Sequence, residues 1–149
     1  MRVVVQRVKD ATCYVDGNLT GKCDNGFMIL VGFTNTDTDA ELNLLAKKVA
    51  GLRVFNDECM KMNKSLKDIG GSILSISQFT LYADAKHGNR PSFTNAMPGD
   101  MAKKLYDRFN DILRNEYCLH VEEGIFGADM KVSFLNDGPV TIILDSKEL

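Results

Sequence analysis

Polar side chains end an apolar run at Ser77-Gln78-Phe79-Thr80, and this is the first place where the chain could carry chemistry. Polar residues at the end of a buried strand are common in functional sites. The hydroxyl of Thr80 would be a nucleophile only beside a base that takes its proton, and the neighbouring residues include none. Taken alone, the tetrapeptide is therefore better interpreted as a strand end whose hydroxyls bond the nearby backbone.

Two glycine-containing segments near the end of the chain are further candidates. Residues 136–141, Asn-Asp-Gly-Pro-Val-Thr, are typical of a turn between two strands. Only about 5–6% of X-Pro bonds are cis, so the sequence alone does not establish an unusual peptide at Pro139. Residues 126–130, Phe-Gly-Ala-Asp-Met, approach the last strands and by themselves indicate core packing followed by a turn.

The usual catalytic and cofactor-binding motifs are missing. His87 and His120 lie in different regions, and the sequence contains no H-E-x-x-H or G-x-S-x-G pattern. It also lacks the glycine-rich loops that bind nucleotide phosphates. The four cysteines form no C-x-x-C pair, which favours reduced, structural thiols: Cys13, Cys23, Cys59 and Cys118. We therefore expect neither a metal nor a cofactor.

Composition limits the classes of protein that remain. The 149 residues, 44% of them hydrophobic and 26% charged, predict one globular domain spanning residues 1–149. The net charge of −2 argues against nonspecific coating of nucleic acid. Cations nevertheless cluster in one part of the chain, where a solvated helix face plus a loop is at least as good an interpretation as a binding patch: Lys86, Arg90, Lys103, Lys104 and Arg108. Without a signal-peptide pattern or a run of about 20 apolar residues, a soluble, intracellular protein is expected.

The apolar pattern predicts which elements must position the candidate residues. Strands are expected at residues 3–8, 11–15, 27–33, 72–79, 130–135 and 140–144. One helix should follow the cap-forming cluster at residues 35–39 and end near Gly51, and a longer one should start at Pro98 and Asp100. The longer helix would bury a stripe of Met101, Leu105, Phe109, Ile112 and Leu113. These elements predict an α/β or α+β domain of three β/β/α layers, with curved, partly barrel-like sheets packed against two long helices.

Taken together, the candidate segments resemble a known family. Residues 77–84, Ser-Gln-Phe-Thr-Leu-Tyr-Ala-Asp, and residues 136–141 are similar to the paired signature of the D-aminoacyl-tRNA deacylases. Other segments are also similar, so the resemblance covers nearly the whole chain: residues 6–8, 51–55, 61–63, 90–93 and 126–130.

The resemblance implies a cytoplasmic homodimer that proofreads translation by hydrolysing D-aminoacyl-tRNA and glycyl-tRNA, without a cofactor or a membrane. It places residues 77–80 of one subunit opposite a cis Gly138-Pro139 peptide of the other. Arg7 would hold that turn. Phe126 and Met130 would line an adenosine pocket, although core packing explains these two residues equally well.

The mechanism implied by the resemblance uses the backbone and the substrate. N–H groups around Phe79 and Thr80 would stabilise the oxyanion. The ribose 2′-hydroxyl beside the ester would orient water or move a proton. The carbonyl oxygens of Gly138 and Pro139 would form a wall that clashes with an L side chain, while glycine would pass.

Two alternatives remain at this stage. A sibling deacylase that removes L-alanine from mischarged tRNA should differ around Gln78 and after Pro139, and this chain keeps the D-type pattern there. A noncatalytic tRNA- or RNA-binding module, or an interaction scaffold that uses its sheet edges, belongs to a different class. Deacylation of D-Tyr-tRNA by the purified protein separates these hypotheses.

Overall fold

The computed structural model describes residues 1–149 as a mixed sheet covered by two helices. Five strands form the sheet in the order β6-β5-β2-β1-β7, and β3 and β4 pair separately. The elements along the chain are β1 (Arg2–Val15), β2 (Asn18–Gly32), α1 (Asp39–Gly51), β3 (Phe55–Asn56), β4 (Met62–Lys64), β5 (Ser72–Ser77), a 3₁₀ turn (Phe79–Tyr82), α2 (Gly99–Asn115), β6 (His120–Glu123) and β7 (Lys131–Asp145). The predicted mixed α and β class is confirmed, although the sheet is open rather than closed into a barrel.

The two longest pairings place β1 between β2 and β7. β1 runs antiparallel to both neighbours, whereas β5 runs parallel to β2 and to β6. The sequence predicted two short strands where the structure has the continuous β1, with an irregular Asp10 at φ 52°. The break in the apolar pattern therefore marks a distortion within one strand, because pairing on both sides of it continues with β2.

The segment around Gly138 corrects a second prediction. We expected a turn between two strands, but the chain runs in one direction through β7 and pairs with β1 on both sides of this segment. Gln6 is opposite Thr141 while Val8 is opposite Asn136, so β7 has extra residues over this span. The extra residues form a bulge rather than a reversal, because one continuous partner strand holds both halves of β7.

The helices cover one face of the sheet. α1 begins with a capping box in which the side chain and backbone of Thr38 bond reciprocally with Glu41 and its neighbours. α2 buries Ala102, Tyr106 and Phe109, whereas Met101 is exposed. The predicted stripe was therefore wrong at its first position, because Ala102 and Tyr106 occupy the side of α2 that faces the sheet.

Buried side chains form two clusters. A cluster of 24 residues is formed by the sheet and the two helices, and it includes Phe27, Leu45 and Phe109. A smaller cluster of 7 residues includes Val8, Met28 and Ile76, against which Met130 and Phe134 pack. Neither helix has the length and apolar character needed to cross a membrane.

Candidate active site

The candidate site begins where β5 ends. Ser77 is the last residue of the strand, and the backbone N–H of Gln78 donates to the carbonyl of Val31 at 2.8 Å. The close contact between this strand end and β2 requires a glycine at position 32, because a Cβ atom on Gly32 would lie 2.8 Å from the carbonyl oxygen of Gln78. The sequence predicted that the strand continues to Phe79, but the chain turns after Ser77 and Phe79 opens the 3₁₀ turn.

A largely apolar cavity of about 410 Å³ adjoins this strand end. Its volume falls within the usual range for small-ligand sites. Ser77, Gln78 and Phe79 line it, together with Phe126 and Met130. The remaining lining comes from both sides of the sheet and from α2: Gln6, Met28, Leu30, Val31, Gly32, Phe33, Ile76, Met97, Ala102, Gly127, Ala128, Asp129, Val132 and Phe134.

The structure brings together five of the nine predicted site residues. Four others lie outside the cavity lining: Arg7, Thr80, Gly138 and Pro139. Thr80 is adjacent in sequence to the cavity, whereas Gly138 and Pro139 are exposed on the bulge of β7. Within one chain, therefore, Gly138 and Pro139 do not line the cavity that Ser77, Gln78 and Phe79 line.

The hydroxyl of Thr80 is engaged by an amide rather than by a base. The side-chain nitrogen of Gln78 donates to the hydroxyl oxygen of Thr80 at 2.6 Å. An amide N–H cannot accept the proton that a nucleophilic hydroxyl must lose. This contact positions the Thr80 side chain without activating it.

The 3₁₀ turn at residues 79–82 begins with backbone N–H groups that can serve as hydrogen-bond donors. In such a turn the first N–H groups have no acceptor within the turn itself. The N–H of Leu81 bonds to the carbonyl of Gln78 at 3.3 Å, while those of Phe79 and Thr80 precede it. The segment thus offers two successive backbone N–H groups beside the cavity.

Arg2 fixes the other end of this turn. Its Nη1 donates to the carbonyl of Leu81 at 2.6 Å, and its Nε and Nη2 donate to the Asp145 carboxylate at 3.0 and 2.7 Å. The guanidinium also lies 5.0 Å from the ring centroid of Tyr82. Burial raises the pKa of Asp145, but hydrogen bonds from the Lys147 backbone and from Arg2 bring this pKa below its usual range. Asp145 is therefore a charged partner for Arg2 at neutral pH.

Arg7 fastens the bulge of β7. Its Nε donates to the carbonyl of Asp137 at 2.9 Å, and its Nη1 donates to the carbonyl of Val54 at 2.6 Å. The side chain is only 11% exposed. The Gly138-Pro139 peptide is cis, and Gly138 has a φ of 134°, a conformation suited to glycine.

Sequence reasoning missed several residues of the cavity and its support. Gln6 and Phe134 line the cavity from β1 and β7. Tyr106 donates to the carbonyl of Ser75 at 2.7 Å and packs against Phe126 with 5.9 Å between ring centroids. Burial raises the pKa of Tyr106 to about 12, so its hydroxyl remains a donor. Only the buried helical position of Tyr106 was signalled, by its spacing of three from Phe109.

The site also lacks a metal-binding arrangement. No group of three or more His, Cys, Asp or Glu side chains is placed to hold a metal ion. The His120 ring contacts Glu122 at 2.7 Å on β6, and neither residue lines the cavity. The cavity lining is mainly apolar, and its polar side chains are those of Gln6, Ser77, Gln78 and Asp129.

Comparison with known proteins assigns the chain to a family. The family model described as D-Tyr-tRNA(Tyr) deacylase matches residues 4–145. D-aminoacyl-tRNA deacylases of Exiguobacterium sibiricum and Deinococcus deserti are 55% and 57% identical over 145 residues, covering 97% of this chain and 99% of each relative. A solved structure named c-Myc DNA Unwinding Element Binding Protein is 41% identical, with a TM-score of 0.92 over 97% of this chain and 98% of that one.

A second solved structure, of a probable eukaryotic D-amino acid tRNA deacylase, shares the fold at 20% identity. Its TM-score is 0.82 over 96% of this chain and 97% of that chain. The matches extend over both predicted halves of the site, residues 77–80 and residues 136–141. On these grounds the chain belongs to the D-Tyr-tRNA(Tyr) deacylase family.

Proposed function

We propose that this protein hydrolyses the ester that joins a D-amino acid, or glycine, to the 3′-terminal ribose of tRNA. It would act in the cytoplasm as a proofreading step of translation. The observation that carries the proposal is the cavity at the end of β5, lined by Ser77, Gln78 and Phe79 within a chain of the deacylase family. A cavity of about 410 Å³ suits a terminal nucleoside and its aminoacyl group better than a folded RNA.

Catalysis in this proposal depends on the backbone and on the substrate. The N–H groups of Phe79 and Thr80 stabilise the oxyanion that forms when water attacks the ester carbonyl, a contribution of about 10²–10³ in rate for one donor. The 2′-hydroxyl beside the ester orients the water or transfers a proton, and well-oriented groups contribute about 7–11 kcal/mol. The Gln78 amide at the Thr80 hydroxyl supports this scheme over a covalent threonine intermediate.

Chiral selection would come from the bulge of a second subunit. The carbonyl oxygens of Gly138 and Pro139 would occupy the space that an L side chain needs, so that L substrates are excluded by steric clash. This scheme ignores the identity of the D side chain and admits glycine, which has no side chain. It is supported by the exposure of both residues outside their own cavity and by the Arg7 hydrogen bond to the Asp137 carbonyl, which holds the bulge.

The proposal requires a homodimer with two composite sites. Exposed apolar side chains on the edge strand support a subunit contact there, because Leu135 and Ile143 are both mostly exposed. An unpaired edge strand with apolar side chains is a ready surface for association. Residues 1–149 would form one domain of each subunit.

Deacylation of matched substrates by the purified protein tests the proposed function. We expect release of D-tyrosine from D-Tyr-tRNA and of glycine from glycyl-tRNA, with L-Tyr-tRNA left intact. Ala128→Trp, which fills the cavity, should abolish release, while Ala40→Trp at the exposed start of α1 should not. Binding of tRNA without release would indicate a noncatalytic module, and preferential hydrolysis of L-alanyl-tRNA would indicate the sibling activity.

A further inference from the structure

We propose that the loop of residues 83–95 binds the unpaired nucleotides that precede the terminal adenosine of tRNA. In this inference Phe93 stacks on a base, and Lys86 and Arg90 contact phosphates. This inference rests on the proposed function, because it concerns where the part of the tRNA outside the cavity lies.

An exposed aromatic pair marks the start of this surface. The rings of Phe79 and Phe93 meet edge to face with 5.1 Å between centroids, and their exposed fractions are 57% and 41%. Phe79 lines the cavity, so the pair extends from the cavity onto the loop. Exposed aromatic rings stack on nucleic-acid bases with little sequence preference.

The loop is held in a defined position relative to the cavity. Asp84 and Ser92 exchange two backbone hydrogen bonds, each 2.8 Å long, which makes residues 85–91 a protruding tip. After the tip, the Thr34 hydroxyl donates to the carbonyl of Asn95 at 2.7 Å. Phe93 lies between these two attachments, so its ring is presented beside the end of β2 rather than on a free segment.

Charge on the tip complements a phosphate backbone. From residue 85 to residue 99 the chain has no Asp or Glu, whereas it carries Lys86 and Arg90. Neither cation takes part in a salt bridge, although Lys103 and Arg108 of the same sequence region pair with Asp107 and Asp39 at 2.7 and 2.9 Å. In a chain of net charge −2, the loop that carries Phe93 thus also carries two cations without a salt bridge.

The combination of rings and cations favours single-stranded RNA over other occupants. A cavity of about 410 Å³ takes one nucleoside with its amino acid, so the preceding nucleotides must pass over the protein outside it. Stacking platforms combined with cations are how proteins bind single strands. A duplex would present phosphates but no free base faces to Phe93.

The inference is tested by comparing two substrates that differ only in the preceding nucleotides. Steady-state kinetics are measured on D-Tyr-tRNA and on 3′-O-D-tyrosyl-adenosine. Phe93→Ala should raise KM for D-Tyr-tRNA by about 5- to 150-fold, the range for losing one stacked base. Hydrolysis of D-tyrosyl-adenosine should stay unchanged, and Phe93→Trp should restore the KM for D-Tyr-tRNA.

A charge variant provides the second arm. Lys86→Gln with Arg90→Gln should reduce the dependence of log(kcat/KM) on log[salt] by about 1.4, since each single-strand phosphate contact contributes about 0.7. Lys47→Gln with Lys48→Gln removes the same charge from α1, which does not line the cavity, and should leave the slope unchanged.

Several outcomes would overturn the inference. An unchanged KM for D-Tyr-tRNA in a folded Phe93→Ala protein would do so, as would an equal loss on both substrates, which would make Phe93 part of the cavity. If Phe93→Ala turned the protein into a monomer, the loop would belong to the subunit contact instead. If the wild-type protein is inactive on both substrates, only the proposed function is refuted. Binding of a labelled single-stranded CCA oligonucleotide then tests the loop separately. Weaker binding by Phe93→Ala than by wild type would support the RNA-binding loop, and equal binding would refute it.

Discussion

Replacing Arg7 by methionine is the sharpest test of how the protein would reject L substrates. The guanidinium donates to the carbonyl of Asp137, directly before Gly138, and to that of Val54, and it is 11% exposed. A hydrogen bond from a charged group contributes about 1.5–3 kcal/mol. Removing the bond to the bulge frees it by up to that amount, and about 1.4 kcal/mol corresponds to a factor of ten. We therefore expect the D/L ratio of kcat/KM to fall by about 10- to 100-fold.

The assay is the rate of deacylation of D-Tyr-tRNA and L-Tyr-tRNA prepared from the same tRNA. Hydrolysis of the L form should rise relative to the D form, instead of both rates falling together. Arg114→Met is the matched control, because Arg114 also bonds a backbone carbonyl, that of Val121 at 2.8 Å, but Val121 lies on β6, at the opposite edge of the sheet from β7. An unchanged D/L ratio in a folded, dimeric Arg7→Met protein would refute the reasoning.

Three further predictions concern catalysis and assembly. Thr80→Ala should keep kcat within about tenfold of wild type, whereas loss of a covalent nucleophile costs about 10⁶, so single-turnover rates distinguish the two schemes. Arg2→Gln should lower kcat by about 10- to 100-fold with little change in KM, because the substitution frees the 3₁₀ turn that carries the backbone donors. Asp145→Asn should lower kcat by a similar factor, and the double variant should be no slower than either single variant. Losses of kcat that add in the double variant would contradict this prediction. Leu135→Glu or Ile143→Glu should give a monomer by sedimentation with reduced chiral discrimination, and a dimer with normal discrimination would place the subunit contact elsewhere.

The strand end at Ser77 was predictable because a local pattern marks it. An apolar run that stops at polar residues locates the end of a buried strand, and the sequence misplaced this end by only two residues, at Phe79 instead of Ser77. The family resemblance then added Phe126 and Met130, which line the same cavity. These residues are identified by their own segments, so sequence reasoning can reach them.

The rest of the cavity was not predictable in the same way. Gln6 and Phe134 alternate with their strand neighbours as any residue in a sheet does, and alternation does not say which face adjoins a cavity. The bulge at Gly138 shows a related limit. Asn-Asp-Gly-Pro favours a turn-like backbone, but whether the chain reverses or continues depends on pairing with β1, more than 120 residues away in sequence.

The separation of the two halves of the site explains why selection and assembly should be linked. The strand end that adjoins the cavity lies on β5, next to the edge strand β6, whereas Gly138 and Pro139 lie on β7 at the opposite edge of the sheet. Arg7 holds the bulge on its own subunit through a hydrogen bond to the Asp137 carbonyl, and Gly138 and Pro139 are exposed there. In the proposed scheme the wall formed by Gly138 and Pro139 would serve a second copy of the chain, because each copy brings a matching cavity. Chiral discrimination in such an enzyme is then a property of the subunit contact, and it should be lost under conditions that leave each subunit folded but separate.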